Sequence, residues 1–418
     1  MKTFRRFIWI GSIAIVVAVA AAAATWLSKP GNADLSTIGS NTAASAQPGA
    51  VQAHASEPIK IGVAVGLSGA NSVVAPTVVQ SAQLAVEEIN AAGGILGRKI
   101  QLEIVDDASG AVGAQKAYDT LVFQKKVDAI ISMETSAARN AALPIVSRGK
   151  VPYIYTSFYE GHSCNPWMYV NAWVPEQQVA PVVNYLTNQK SAKTFFLVGS
   201  DYAFGRGMFE FARKFIQEAG GRVVGEEYLP MDGGDWTAVL SKIRAAKPDA
   251  LISATAGGAP NISLAKQLRA SGLKMPYGNL AIDESTAKTM GDVATGILVS
   301  ASYLTSIETP ENQAFLRRMM IKFGADVKAP NELSVPEYEA FYLYKAAVEK
   351  AGTTDPAIVT RALADVSYNG PRGSVQMSKG RHTPLSMRLG EVRSDGSIRI
   401  LETFSNVDPG EQCPTVTQ

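Results

Sequence analysis

The chain has 418 residues, 46% of them hydrophobic and 18% charged, with a formal net charge of +2. That length supports two or three domains with large buried cores, and the balanced charge, with no basic stripe interleaved with aromatics, argues against a nucleic-acid partner. Three histidines (His54, His162, His382) and two cysteines (Cys164, Cys413) are poor material for a zinc site or for a Cys–His nucleophile.

The N-terminal "MKTFRRFIWIGSIAIVVAVAAAAATWL" carries Lys2, Arg5 and Arg6 ahead of an apolar run from Phe7 to about Ala24. A basic flank before an apolar core is an export signal, and the run is near the length of a membrane span. Residues 1–27 therefore read as a signal peptide, or as a signal anchor that holds the chain to the inner membrane through residues 7–27. Residues 28–57 show no periodicity and few large apolar side chains, which is the composition of a disordered linker. Export places the folded part in an oxidising compartment, where two cysteines are expected as a disulfide. If both pair within the chain, Cys164 joins Cys413; an intermolecular bridge is the alternative.

"IKIGVAVGL" from Ile59 is a β-branched strand, and Ala82, Ala85, Val86 and Ile89 then fall at helical spacing until Gly93–Gly94 stop the helix. Ile100, Leu102 and Ile104 alternate with Gln101 and Glu103 as in a strand. A helix around Ala114–Lys125, the strand "VDAIIS", a helix from near Ser136 and the strand "VPYIYTS" follow. The pattern then restarts: strands "KTFFLVGS", "RVVGEEYLP", "PDALISATA" and "TGILVSASYL" alternate with helices "GRGMFEFARKFIQEAGG", "DWTAVLSKIRAAK" and "NISLAKQLRASG". Two helices, "TPENQAFLRRMMIKFG" and "LSVPEYEAFYLYKAAVEKAG", precede short C-terminal strands with a hairpin turn at "SDG". Two successive β-α sets predict an α/β protein of two doubly wound lobes, with a small-molecule site between them at the strand ends.

No Gly-x-Ser-x-Gly elbow, Walker loop or strand-linked Gly-x-Gly-x-x-Gly occurs. Asp106–Asp107 is the obvious carboxylate pair at a strand end, but neighbours on a strand point to opposite faces and cannot converge on one metal or proton. A capping or loop role is expected for them. No catalytic residue, metal ligand or cofactor is assigned. Polar and aromatic residues recur instead at the ends of strands. Thr135 and Ser136 open a helix, where free N–H groups and hydroxyls suit a carboxylate or carbonyl oxygen. Tyr155, Ser157 and Tyr159 follow the next strand, Tyr202 and Phe204 the first strand of the second lobe, and Thr255, Ala256 and Tyr303 later ones. Together they predict a site that closes over a small polar ligand.

The segments "IKIGVAVGLSG", "AVEEINAAGGILGRKIQLEIVDDAS", "VGSDYAFGRG", "KPDALIS", "TPENQAF" and "YKAAVEKAG" keep their order over nearly the whole mature chain. In them the chain resembles the type I periplasmic solute-binding proteins of branched-chain amino acid and amide ABC importers. "SDYAFG", "ASYLTSIETPENQAF" and "GRHTPLSMRLGEVRSDGSIRI" look closest to the urea- and amide-binding branch. "YEGHSCNP" with a late cysteine is similar to members with a disulfide between those positions. The resemblance implies two lobes joined by three crossovers, with lobe 1 over 58–175 and 302–380, lobe 2 over 176–301 and 381–410, and a tail over 411–418. It implies a small amide, urea or amino acid ligand held by lobe closure, and ABC permease and ATPase subunits as partners. A membrane-anchored sensor on the same fold is the alternative. The resemblance also implies that Thr135, Ser136 and Ser157 hold the ligand's oxygen end, that Tyr155, Tyr202, Phe204 and Tyr303 wall the site, and that Asp283 or Glu284 meets an ammonium group. Glu134 departs from the pattern; a negative charge there could repel carboxylates or recognise a cation.

Overall fold

The computed structural model describes residues 57–414; the expected leader, and all but the last residue of the expected linker, lie outside the described residues. Among the described residues no helix is long and apolar enough to cross a membrane.

The first lobe opens with strands β1 (Ile59–Val65), β2 (Ile100–Asp106), β3 (Ala129–Ser132), β4 (Tyr153–Tyr155) and β5 (Met168–Val170). They pair in parallel in the order β2-β1-β3-β4-β5. Helices α1 (Ala75–Ala91), α2 (Ala111–Asp119) and α3 (Ser136–Gly149) make the crossovers. β1, β3, β4 and β5 are buried almost throughout and read as apolar runs; β2 lies on the sheet edge and keeps the alternation seen in its sequence. The turn between α1 and β2 depends on Gly94. Its φ is +85°, its N–H donates to Ile89 O at 2.9 Å, and a Cβ there would sit 2.0 Å from Arg98 O.

Residues 171–174 cross to the second lobe. There α4 (Pro175–Lys190), β6 (Thr194–Ser200), α5 (Ala203–Glu218), β7 (Arg222–Leu229), α6 (Thr237–Ala246), β8 (Ala250–Ala254), α7 (Ala259–Ala270), β9 (Tyr277–Asn279), α8 (Glu284–Met290) and β10 (Leu298–Ala301) build a doubly wound layer. The chain returns through residues 302–309 to α9 (Pro310–Phe323), α10 (Ser334–Ala351), α11 (Pro356–Ala362) and the hairpin β11 (Ser367–Gly370)–β12 (Gly373–Gln376), which pack on the first lobe through α1 and α10. Residues 377–384 cross a third time, and β13 (Leu385–Val392) and β14 (Ile398–Val407) complete the second sheet in the order β14-β13-β10-β9-β8-β6-β7. The expected turn at "SDG" joins β13 to β14, with Gly396 at φ +80° and Asp395 Oδ1 accepting from Ser397 N at 2.9 Å.

Cys164, in the β4–β5 loop, is bonded to Cys413 of this same chain, with 5.5 Å between the Cα atoms. The intermolecular alternative does not hold. Gln412 beside it is 1% exposed and touches both lobes: its Oε1 accepts from His162 N at 2.9 Å and its Nε2 donates to Glu176 Oε1 of α4 at 2.9 Å. The tail is thus a fourth connection alongside the three crossovers.

Candidate functional site

The C-terminal ends of the two parallel strand sets face each other across a cavity of about 20 Å³, room for about one water. Thr135, Ser136, Ser157 and Phe158 line it from the first lobe, and Tyr202, Phe204, Thr255 and Asp283 from the second.

Thr135 is the N-cap of α3. Its Oγ1 accepts from Ala138 N at 3.1 Å and donates to Ser109 O at 3.2 Å. The first N–H groups of α3, on Ser136 and Ala137, have no backbone or side-chain acceptor among the described residues. They leave the positive end of the helix aimed at the cavity. The Ser157 hydroxyl makes only a long contact to Phe158 O at 3.4 Å, so it too is available. Phe158 stacks on Trp173 with centroids 4.6 Å apart, and Phe204 lies 5.7 Å from Phe158 and 6.0 Å from Tyr202. The Tyr202 hydroxyl has no hydrogen-bond partner among the described residues, and burial pushes its pKa well above the ordinary value, so it stays protonated.

On the opposite lobe Asp283 caps α8. Its Oδ1 accepts from Ser285 N, Thr286 N and, across the lobe boundary, Asn331 Nδ2 at 2.8 Å. Oδ2 accepts one bond, from Thr286 Oγ1 at 2.6 Å, and keeps acceptor capacity. Burial raises the pKa of Asp283 against these donors. Glu284, its neighbour, is turned away from the cavity: Oε1 accepts from Thr305 N at 2.7 Å, and burial pushes its pKa up to about 8.

Four residues expected in the site do not line the cavity. The Tyr303 hydroxyl donates to Asn312 Oδ1 at 2.8 Å inside the core beneath the second crossover. Tyr155 donates to Glu134 O at 3.0 Å, and Tyr159 contacts His382 Nε2; both rings pack on the Arg139 guanidinium instead. Ala256 is fully buried, its N–H held by Ser200 Oγ at 2.9 Å. Asn71, Met133, Phe158 and Leu333 line the cavity without having been anticipated. Phe158 lies past the end of β4, where strand alternation no longer assigns faces; Leu333 enters from the loop before α10 and Asn71 from a single 3-10 turn (Ala70–Val73), both too short to carry a periodic signal.

Glu134 lines the cavity as well, but its carboxyl is engaged inside the first lobe. Its Oε1 accepts from the hydroxyls of Tyr118, at 2.7 Å, and Tyr153, and its Oε2 is buried without a partner. Burial, then the nearby Asp107 charge, push its pKa up to about 8, so at neutral pH it is mostly the neutral acid. Asp106, the last residue of β2, accepts from Ser68 and Ala108 of the neighbouring loops, and Asp107 accepts from Ser109 N at 2.7 Å. Neither is a helix cap; α2 starts from Gly110. Among the described residues no group of three or more His, Cys, Asp or Glu is placed to hold a metal ion.

A family model described as periplasmic binding protein matches residues 58–397. The chain belongs to this periplasmic binding protein family. Periplasmic binding proteins are exported solute-binding proteins, not enzymes, and that applies to this chain. It is 24% identical over 287 residues to Leu/Ile/Val-binding protein homolog 6 of Brucella melitensis, covering 65% of this chain and 72% of the relative. It is 26% identical over 317 residues to an amino acid binding protein of Pseudomonas aeruginosa, covering 73% and 82%. Among solved structures, a solute-binding protein from R. palustris in complex with 4-hydroxybenzoate superposes with a TM-score of 0.78 at 24% identity, covering 84% of this chain and 98% of that one. A leucine-binding protein from Thermotoga maritima gives 0.74 at 23% identity, with 83% and 99% covered. The two-lobed arrangement of this periplasmic binding protein is therefore that of its structural neighbours.

Proposed function

We propose that the protein is the substrate-binding component of an ABC importer and captures a small α-amino acid. The observation that carries this is the opposed polarity of the two walls. Lobe 1 offers the unpaired N–H groups of α3 with the Ser157 hydroxyl, a setting for a carboxylate. Lobe 2 offers the Asp283 carboxylate with spare acceptor capacity, a setting for an ammonium group. Phe158, Phe204, Met133 and Leu333 supply an apolar wall for a side chain. The names of the relatives, Leu/Ile/Val-binding and amino-acid-binding proteins, support this reading. An amide or urea could use Asp283 and the hydroxyls but would leave the helix terminus without an anion.

A ligand of that size exceeds a cavity of about 20 Å³. Capture therefore needs the lobes to part about the crossovers and close again, and the closed form would dock on the permease. Attachment through residues 7–27 would keep the receptor beside that permease.

The aromatic walls favour one second reading, an aromatic monocarboxylate set among Phe158, Phe204 and Tyr202, as the neighbour bound to 4-hydroxybenzoate suggests. Isothermal titration with leucine, isoleucine, valine, benzoate, acetamide and urea separates these. Heat from an aliphatic amino acid, lost in Asp283→Asn, supports the first reading. Binding of benzoate unaffected by Asp283→Asn supports the second, and binding of none of the six by folded protein overturns both.

A further inference from the structure

One turn into α3, Arg139 is buried at 1% exposure, its guanidinium 5.2 Å from the Tyr155 ring centroid and 4.5 Å from that of Tyr159. Its Nη2 donates to Glu160 Oε1 at 2.6 Å, and Ser136 Oγ donates to Glu160 Oε2 at 2.5 Å. Arg139 Nη1 also reaches Ser136 Oγ at 3.4 Å, and Nη2 reaches Asn140 Oδ1 at 3.0 Å. A buried guanidinium and a hydroxyl donor are the parts of a carboxylate-binding pocket. Here the chain's own Glu160 fills it, with both carboxylate oxygens engaged.

The position of this pocket gives it a bearing on the ligand. Ser136 is shared: its side chain belongs to the cavity wall on one side and to Glu160 on the other. Glu160 also lies on the seam between lobes, since a Cβ on Gly207 of α5 would come within 2.5 Å of Glu160 Cβ. Glu160 balances the Arg139 charge and accepts the Ser136 hydroxyl's hydrogen bond. A second anionic group on a ligand then finds no cation and no free donor beyond the cavity wall.

We propose that Arg139 and Ser136 form a carboxylate site behind the cleft that Glu160 occupies as an internal ligand, and that Glu160 thereby sets the receptor against dicarboxylate solutes. The selectivity half of this rests on the amino-acid reading above; the existence of the site does not.

Acetate is the probe. Glu160→Ala opens the pocket, and sodium acetate is compared with sodium chloride at equal ionic strength. Acetate is expected to raise the Tm of Glu160→Ala saturably, by about 2 °C or more beyond chloride, while leaving wild type and Arg139→Met/Glu160→Ala unmoved. Equal shifts in all three proteins would overturn the site. If Glu160→Ala does not fold, the double variant decides: removal of the stranded Arg139 charge must restore folding, and a double variant that folds no better overturns the proposal. The selectivity arm compares leucine with glutamate by titration. The glutamate-to-leucine Kd ratio is expected to fall at least ~10-fold in Glu160→Ala, the worth of roughly one charge-assisted hydrogen bond; an unchanged ratio overturns that half. Wild type that binds neither, with acetate still stabilising Glu160→Ala, would remove the amino-acid reading and leave the carboxylate site standing.

Discussion

Replacing Glu134 by Gln should flatten the alkaline fall in stability. In the folded protein the acid is buried, and its unpartnered Oε2 lies close to Asp107, whose Oδ2 is also without a partner. Burial pushes Glu134 from 4.5 to about 8, and Asp107 from 3.8 to about 6. A carboxyl whose folded pKa is raised holds its proton more tightly when folded. Its stabilisation is therefore complete below about pH 4.5 and is lost as the pH rises through about 8. At ~1.36 kcal/mol for each tenfold gain in proton affinity, the interval from 4.5 to about 8 is worth roughly 5 kcal/mol. Most of this has gone by pH 7, and a further ~1 kcal/mol goes between pH 7 and 9. A glutamine can accept from Tyr118 and Tyr153 and donate to Asp107 without titrating. Urea unfolding of both proteins at pH 5, 7 and 9 measures the difference. Glu284 and Glu337, both pushed to about 8, and Glu332, to about 7, titrate equally in the two proteins, so only the difference in slope counts. If wild type and Glu134→Gln lose the same free energy between pH 7 and 9, Glu134 does not hold the proton assigned to it.

Arg372→Met should cost about 3–5 kcal/mol in chemical denaturation, because it strands Glu339, its fully buried partner at 2.7 Å. The double variant Cys164→Ser/Cys413→Ser should lose about 2–5 kcal/mol by the same assay, since the bond closes a loop of 249 residues. Limited proteolysis should at the same time release the tail after β14. Gly94→Ala should destabilise by about 1–3 kcal/mol, because φ is +85° and the new Cβ meets Arg98 O. Gly97→Ala, at φ +77° with open space around it, should cost only the left-handed penalty of roughly 1 kcal/mol; a thermal melt of the pair separates clash from backbone strain.

The alternation of β1, α1 and β2 and the glycine stop at Gly93–Gly94 were legible because each is a local signal: periodicity, then a backbone position that only glycine fills cheaply. α4 escaped the reading. It carries Pro175 at its first position, where proline is at home, but also Pro181 inside, which locally argues against a helix. Burial of Val179, Val182, Val183 and Leu186 against the second sheet outweighs that penalty, and no local window contains the sheet. Residues at strand ends were harder still. Thr135, Ser136 and Phe204 reach the cavity because helix N-termini point there. Tyr155 and Tyr159 do not, because their rings pack on Arg139, a partner that the linear sequence gives no reason to choose.

The same long-range chemistry ties the lobes together. Arg372 donates to Asn171 Oδ1 in the first crossover at 2.7 Å and to Ser302 Oγ in the second at 2.9 Å. Arg388 of β13 reaches the carbonyls of Ser302 and Arg372, while Glu332 accepts from Ser302 Oγ at 2.6 Å. Two arginines and two carboxylates, all buried, thus tie the crossovers together, and separating them would cost several kcal/mol. The seam on the other side of the cavity is weaker: Asn331 donates to Asp283 across it, and Glu160 rests against Gly207. If the lobes part as proposed, an opening that breaks the weaker set and keeps the stronger would turn them about the Arg372 cluster, within the reach that the Cys164–Cys413 bond allows.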